Sequence, residues 1–265
     1  MDFIQVTDSD GVFEVRLNRP ELRNAFNPKM IFEITKVFKS LVRRKDIRAV
    51  VLRGNGKSFC AGADLNWMKE MVKYTLAKNK KDAGVLFDMF QAIAVCPHPV
   101  ISVVQGAAFG GALGLIACSD IVLSEKNTAF GFSEVKLGIA PAVISHFVLK
   151  KSPLGFCSPA MISGKTFTAG EAKAMGLVHG LADSESELES LLNQTLNQFG
   201  EAGPEAVRET KSLLQKIQNQ TTAKAKSLTT QVIAKRRVSQ EGQAGLVGFL
   251  EKSTPVWKTQ WKIRG

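Results

Sequence analysis

Polar and apolar positions alternate in the first part of the chain and then recur with helical spacing. Residues 3–7 and 12–17 alternate as half-buried strands do, and Asp8-Ser9-Asp10-Gly11 between them has the composition of a hairpin turn. Asn27-Pro28 is typical of a helix N-cap followed by the first helical residue, and the apolar positions of residues 30–41 fall on one helical face. These patterns predict a hairpin followed by an amphipathic helix.

The rest of the chain mixes short apolar runs with helical periodicity. The pattern predicts strands at residues 47–52, 121–123 and about 129–132, helices at 65–72, 82–95 and 143–150, and a helix opened by a capping box of Thr168 and Glu171. After Pro204 we expect nearly every stretch to be helical and amphipathic. Since strands and helices are interleaved without a repeat or linker, we predict an α/β core over residues 1–200 and a helical C-terminal portion over residues 201–265.

The most informative stretch runs from Val100 to Asp120. It begins with the β-branched run V-I-S-V-V, typical of a strand buried on both faces, and continues with glycines at positions 106, 110, 111 and 114 among alanines. We interpret it as strand, tight turn and helix N-terminus, where free backbone N–H groups and the helix dipole favour negative charge. A membrane span is disfavoured because Gln105 interrupts the run, whereas a packing turn without chemistry stays open.

Composition narrows the class of protein. The chain of 265 residues is 45% apolar and 22% charged, as globular proteins are, and its N-terminus lacks the pattern of an export signal. The four cysteines are scattered without a C-x-x-C pair, so we expect buried reduced thiols and a cytoplasmic setting. The net charge of +11 suits a solvated basic surface or a polyanionic small ligand. An RNA-binding protein is the non-enzymatic alternative, and it predicts salt-sensitive nucleic-acid affinity.

Four stretches, taken in order, resemble the crotonase or enoyl-CoA hydratase/isomerase superfamily over essentially the whole chain. They are L-N-R-P with R-N-A-F at residues 17–26, F-C-A-G-A-D-L at 59–65, the segment at 105–120, and F-G-F-S-E-V-K-L-G-I-A-P at 130–141. Within that family, A-G-A-D-L-N-W-M and Q-G-A-A-F-G-G-A-L-G-L followed by S-E-V-K-L-G-I-A-P-A-V-I-S look most similar to bacterial 3-methylglutaconyl-CoA hydratases or their relatives acting on isoprenoid-derived glutaconyl-CoA. The resemblance implies a ββα spiral core whose C-terminal helices complete a trimer or a dimer of trimers. It implies no cofactor beyond the coenzyme A of the substrate, and the sequence shows no metal-ligand cluster.

The resemblance also implies a catalytic arrangement. The backbone N–H groups of Ala63 and Gly111 would hold the thioester oxygen, where charge grows as an enolate forms. Hydratases of the family place two glutamates around the catalytic water; the second maps to Glu134, whereas the first maps to Gly114, which has no side chain. The implied activity is hydration of an enoyl-CoA in leucine, isovalerate or fatty-acid breakdown. Isomerisation by Glu134 alone is the alternative within the family.

The family's binding positions carry over residue by residue. The coenzyme A side maps to Arg23, Ala25, Ala61, Asp64 and Leu65, completed near the C-terminus by Phe249 and Lys252, which in the family sometimes come from a neighbouring subunit. The acyl pocket maps to Trp67, Met68, Gly114 and His146. A second substrate carboxylate would need a cation, and Lys136, His146 and Lys69 are the candidates, although residues of these types more often have plain surface or structural roles.

Overall fold

The computed structural model describes residues 1–261, which form two sheets surrounded by helices. The strands are β1 (Ile4–Ser9), β2 (Val12–Leu17), β3 (Ala49–Gly54), β4 (Val100–Val104), β5 (Ala107–Phe109), β6 (Ile121–Glu125), β7 (Ala129–Gly131), β8 (Thr166–Thr168) and β9 (Gly180–Ala182). The helices are α1 (Pro28–Leu41), α2 (Leu65–Met71), α3 (Leu76–Ala94), α4 (Gly111–Cys118), α5 (Ala142–Lys151), α6 (Leu154–Ser163), α7 (Ala169–Ala174), α8 (Glu185–Glu201), α9 (Pro204–Ile217), α10 (Thr222–Val238) and α11 (Gln240–Leu250). Short 3₁₀ helices lie at Pro20–Leu22 and Glu134–Leu137.

The larger sheet has the order β1-β2-β3-β4-β6-β9, and β5-β7-β8 form a smaller one. In the larger sheet β1 and β2 form an antiparallel hairpin, and every later pairing is parallel. Asp10 and Gly11 turn the hairpin with φ of 52° and 83°, the left-handed geometry that a tight hairpin turn requires. The carboxyl ends of the five parallel strands, β2, β3, β4, β6 and β9, therefore lie on one side of the sheet, and the loops leaving β3 and β4 meet there.

Helix α1 forms as its sequence predicts. The Asn27 side chain accepts a hydrogen bond from the Met30 N–H at 2.8 Å, and Pro28 occupies the first turn. Its apolar face is buried against the main core, which also takes in α3, α4 and α5. A second core lies on the opposite face of the larger sheet, where leucines of α8 pack with Val51 and Ile101. The central strands are thus buried on both faces, as their continuous apolar runs predict.

Three predicted elements need correction. Helix α3 begins six residues before the predicted position 82, because Thr75 caps an exposed first turn that buries no apolar side chain. The turn after β4 contains a short strand, β5, which pairs with β7. Within the described residues the last helix of the C-terminal portion ends at Leu250, where Lys252 takes a left-handed φ of 56° and the Ser253 N–H donates to the Gly248 carbonyl at 2.9 Å.

The C-terminal portion folds back on the core through polar contacts and one aromatic anchor. The Lys211 ammonium donates to the His98 carbonyl at 2.8 Å, and α10 buries no residue within the chain. The Trp261 side chain is buried beside the second core and donates to the Asp10 carbonyl at 2.7 Å. The division between residues 200 and 201 stays a prediction, and the last four residues lie outside the described range.

The cysteine prediction is confirmed over the described chain: Cys60, Cys96, Cys118 and Cys157 are all free and buried. Among residues 1–261, no helix combines the length and the apolar character that crossing a membrane requires.

Candidate active site

The loop after β3 places the backbone N–H of Ala63 at the carboxyl ends of the parallel strands. Phe26 and Ala63 form an isolated parallel bridge: the Phe26 N–H donates to the Gly62 carbonyl at 2.7 Å, and the Asp64 N–H donates to the Phe26 carbonyl at 2.7 Å. These two bonds engage the residues on either side of Ala63. Its own N–H has no backbone acceptor within residues 1–261 and is free to bind a ligand oxygen.

The turn after β5 presents a second N–H that has no acceptor among residues 1–261, that of Gly111. Gly110 takes φ of 54°, a value that favours glycine, and α4 begins at the next residue. The N–H of a first helical residue has no acceptor inside its helix, and the helix dipole adds partial positive charge there. Gly111 therefore provides a donor suited to an anionic oxygen.

The two loops are held side by side. Cys60 bridges Ala108, and the Phe109 N–H donates to the Cys60 carbonyl at 3.1 Å. A Cβ built on Gly62 would lie 2.9 Å from the Phe109 carbonyl oxygen and 3.9 Å from the Gly110 Cα, so only glycine allows this approach. The residues that follow these two glycines, Ala63 and Gly111, supply the two free N–H groups at one place.

Glu134 stands next to this pair of loops. It is the first residue of the second 3₁₀ helix, and its Oε1 lies 3.5 Å from the position of a Cβ on Gly110. Its Oε2 is buried and has no hydrogen-bond partner in the described chain. Burial raises the pKa of the Glu134 carboxyl, and a backbone hydrogen bond opposes the rise only in part. Such a carboxyl can exchange a proton at a pH closer to neutrality.

The space beside Gly114 on α4 is filled by side chains of two other helices. A Cβ on Gly114 would lie 2.5 Å from Cζ of Phe90, 2.6 Å from its Cε1, and 2.8 Å from Cγ2 of Ile144. The resemblance maps the first glutamate of the family's hydratases to this position, and here the adjacent space holds an aromatic ring and a branched aliphatic side chain. Sequence reasoning missed both residues, because they come from α3 and α5, and nothing in their local sequence announces the contact.

Asp64 has a structural role that sequence reasoning did not assign. Its carboxylate accepts from the N–H groups of Asn66 at 2.7 Å and Trp67 at 3.3 Å, which caps α2. The guanidinium of Arg19 donates to the same carboxylate at 2.7 Å and to the Ala25 carbonyl at 2.7 Å. This network ties the loop before α1 to the loop that carries Ala63. With these bonds made, the Asp64 side chain is committed to the protein, and a coenzyme A contact there stays a prediction.

The other residues predicted for the coenzyme A side divide into two groups. Arg23, Ala25 and Ala61 lie together, since the Ala61 N–H donates to the Arg23 carbonyl at 2.9 Å, and Leu65 follows on the exposed start of α2. Phe249 and Lys252 lie at the exposed end of α11, which packs on α9 and α10. Nothing in the described chain brings this second group to the loops.

The residues predicted for the acyl pocket also differ in placement. Trp67 is buried in the main core and Met68 is half-buried on α2. His146 is exposed on α5, with its ring 5.6 Å from that of Phe87 and 5.1 Å from that of Phe147. Lys69 and Lys136 are exposed, and the cation for a second carboxylate stays a prediction.

A cavity of about 460 Å³ lies elsewhere, at the edge of the larger sheet next to α8. Arg16, Arg53 and Glu189 are among its lining residues, and none of the predicted site residues lines it. The Arg53 guanidinium is paired with Glu189 at 2.8 Å. Gly56 and Lys57 of the loop after β3 and Gly106 of the loop after β4 also line this cavity, whereas Ala63, Gly111 and Glu134 do not.

Comparisons with known proteins identify the family of the chain. The family model described as enoyl-CoA hydratase/isomerase matches residues 7–260. The enoyl-CoA hydratase ACTT6 of Alternaria alternata is 33% identical over 215 residues, which cover 81% of this chain and 70% of that protein. The 2,3-dehydroadipyl-CoA hydratase of Escherichia coli is 28% identical, covering 97% of this chain and 99% of that protein.

The fold comparison gives the same result. A crystal structure of an enoyl-CoA hydratase from Shewanella pealeana superposes with a TM-score of 0.91 at 36% identity, covering 96% of each chain. The crotonase-like α/β fold with a helical C-terminal part is confirmed. Together, the matched model, the shared fold and the paired glycine loops show that this chain is an enzyme belonging to the enoyl-CoA hydratase/isomerase family.

Proposed function

We propose that the chain is an enoyl-CoA hydratase that uses a single carboxylate, Glu134, and acts on 3-methylglutaconyl-CoA or a related branched enoyl-CoA. The observation that carries the proposal is the position of this carboxyl beside Gly110, next to the free N–H groups of Ala63 and Gly111. The filled face at Gly114 supports a mechanism with one carboxylate. The substrate assignment rests on the motif resemblance around residues 61–68 and 105–146.

The proposed reaction moves one proton through Glu134. The carboxylate takes a proton from water as the water oxygen bonds to the third carbon of the acyl chain. The electron pair of the double bond shifts toward the thioester oxygen, and the Ala63 and Gly111 N–H groups stabilise the enolate. Glu134 then returns the proton to the second carbon, so that one water is added. Each backbone donor contributes roughly 2.7–4 kcal/mol to transition-state stabilisation.

The same groups suit isomerisation, which is the second candidate. Glu134 would remove a proton from one carbon of the acyl chain and deliver it to another, with the same enolate between. The single carboxylate beside Gly110 favours this candidate because isomerisation needs no second acid to position water.

Coenzyme A would lie along Arg23, Ala25, Ala61 and Leu65, near the backbone of Asp64. We further propose a homotrimer or dimer of trimers in which Phe249 and Lys252 of a neighbouring copy complete this surface. Support comes from α11, where Phe249 is 84% exposed beside the exposed Leu246 and Leu250. Apolar side chains in such a group are typical of a surface that another chain covers.

Product analysis separates the two candidates. The purified protein is incubated with 3-methylglutaconyl-CoA and with crotonyl-CoA, and the conjugated-thioester absorbance and product masses are followed. Hydration predicts loss of absorbance and a 3-hydroxyacyl-CoA that carries one added water, with 3-methylglutaconyl-CoA as the better substrate. Absence of any hydrated product, together with double-bond migration in a 3-enoyl-CoA, would replace the hydratase with the isomerase.

A further inference from the structure

The residues that fill the space at Gly114 also bear on which acyl groups can bind. Gly111 and Gly114 are three residues apart on α4 and so lie on one face of the helix. A Cβ on Gly111 would lie 4.0 Å from Cζ of Phe90, and a Cβ on Gly114 would lie 2.5 Å from the same atom. One aromatic ring therefore stands against the face of α4 that begins at a predicted oxyanion donor.

The spacing along α4 relates this ring to the acyl chain. Three residues at 1.5 Å rise place Gly114 about 4.5 Å along the helix from Gly111. The proposed function puts the thioester oxygen on the Gly111 N–H, and an acyl chain that follows α4 from there would pass the next turn with its first carbons. The ring of Phe90 would then lie beside the acyl carbons that follow the third carbon.

The ring is fixed in this position. Phe90 is fully buried, and its centroid lies 5.7 Å from that of Phe147, with the ring planes at 57°. Cγ2 of Ile144 lies on the other side of the same space, 2.8 Å from the Gly114 Cβ position. In a close-packed interior the ring cannot swing aside without displacing these neighbours.

We propose that Phe90 is a specificity-determining residue that closes the acyl pocket along α4 and selects short acyl thioesters over long straight-chain ones. The inference rests on the proposed function in one respect, namely that the ligand is an acyl-CoA bound through its thioester oxygen. It also gives position 114 a reason to be glycine, since any larger residue meets the ring.

Binding of saturated thioesters tests the proposal without turnover. Dissociation constants are measured by calorimetry for butyryl-CoA and octanoyl-CoA with the wild type, Phe90→Leu and Phe90→Ala. In a close-fitting apolar pocket, one extra or missing methylene changes the preference between two ligands by about 10- to 200-fold. Both variants should therefore improve the affinity for octanoyl-CoA relative to butyryl-CoA by at least about tenfold. Phe38→Leu, the same truncation at a fully buried phenylalanine of α1, should leave the ratio unchanged.

A second measurement tests the packing without ligand. Gly114→Ala should lower the thermal midpoint strongly in the wild type and far less in the Phe90→Ala background. Equal losses in both backgrounds, or an unchanged ligand ratio in both folded Phe90 variants, would overturn the proposal. A shifted binding ratio in a protein that hydrates no enoyl-CoA would leave the role of Phe90 standing and refute the proposed function. Failure of the wild type to bind either thioester would refute both.

Discussion

The contact between Asp64 and Arg19 gives the sharpest stability prediction. The Asp64 carboxylate caps α2 and accepts from the Arg19 guanidinium, and the two side chains are only 6% and 10% exposed. Asp64→Ala removes both interactions and leaves the arginine charge buried without its partner. We expect a large loss of stability because an unpaired buried charge is costly.

The magnitude follows from the two contributions. Breaking a buried ion pair by removing one partner costs about 3–5 kcal/mol. Losing an Asp N-cap costs about 0.5–2 kcal/mol. The two are not additive, because one carboxylate serves both, and the Arg19 guanidinium keeps its bond to the Ala25 carbonyl. The free energy of unfolding of Asp64→Ala should therefore fall by roughly 4 kcal/mol at pH 7.

The pH dependence has a definite sign. Burial alone would raise the pKa of Asp64, but the hydrogen bonds from Arg19 and from the Asn66 and Trp67 N–H groups outweigh it, and the pKa is lowered. Because the pKa of Asp64 is lower in the folded state, its ionised carboxylate contributes its full stabilisation above the unfolded-state pKa of about 3.9. This contribution is lost as the pH falls through the folded-state pKa. The difference between wild type and Asp64→Ala should thus shrink in acid.

Urea unfolding at pH 7 measures the effect, with Asp183→Ala as the matched control. Asp183 pairs with Lys126 on the surface, where the side chains are 66% and 54% exposed, and exposed pairs contribute only about 0–1 kcal/mol. If Asp64→Ala costs no more than this surface control, the ion pair does not hold the two loops together as argued.

Three further predictions follow from single contacts. Gly106→Ala should abolish folding or lower the thermal midpoint strongly, because φ of Gly106 is 64° and the added Cβ would lie 1.9 Å from the Lys57 carbonyl oxygen. A midpoint within about two degrees of the wild type would contradict this. Burial lowers the pKa of Lys151 from 10.5 to about 8. The free energy of unfolding of the wild type, relative to Lys151→Met, should therefore rise by up to roughly 3 kcal/mol between pH 8 and 10.5. Denaturant unfolding measures this difference, and a difference that does not change with pH would show that the ammonium is not buried. Thr168→Ala breaks the capping box with Glu171 and should cost about 1 kcal/mol in chemical unfolding, whereas Thr222→Ala, at the first turn of an exposed helix, should cost less.

Local patterns predicted the elements whose causes are local. The hairpin at Asp10 and Gly11, the Asn27 cap of α1 and the capping box at Thr168 each depend on residues a few positions apart. The buried strand at Val100–Val104 and the helix start at Gly111 follow from composition alone. That the two glycine loops serve one site followed only from the family resemblance, which pairs the N–H groups of Ala63 and Gly111.

The features that sequence missed depend on distant contacts. Arg19 and Asp64 are 45 positions apart, and their pairing is set by the register of the bridge between Phe26 and Ala63. Phe90 meets Gly114 only because α3 packs across α4, and a phenylalanine at helical spacing otherwise predicts an ordinary core position. The early start of α3 is not visible in the sequence because its first turn is exposed and depends on the Thr75 cap instead of apolar contacts.

The central claim, that Glu134 alone carries the acid–base chemistry, is tested most directly by comparing Glu134→Gln with the wild type on 3-methylglutaconyl-CoA. Glu209→Gln, at an exposed position of α9, is the matched control. General acid–base catalysis contributes about 10²–10⁴-fold, so kcat/KM should fall by at least about 100-fold in Glu134→Gln and stay at the wild-type value in the control. A Glu134→Gln enzyme that hydrates the substrate within a factor of about ten of the wild type would contradict the account.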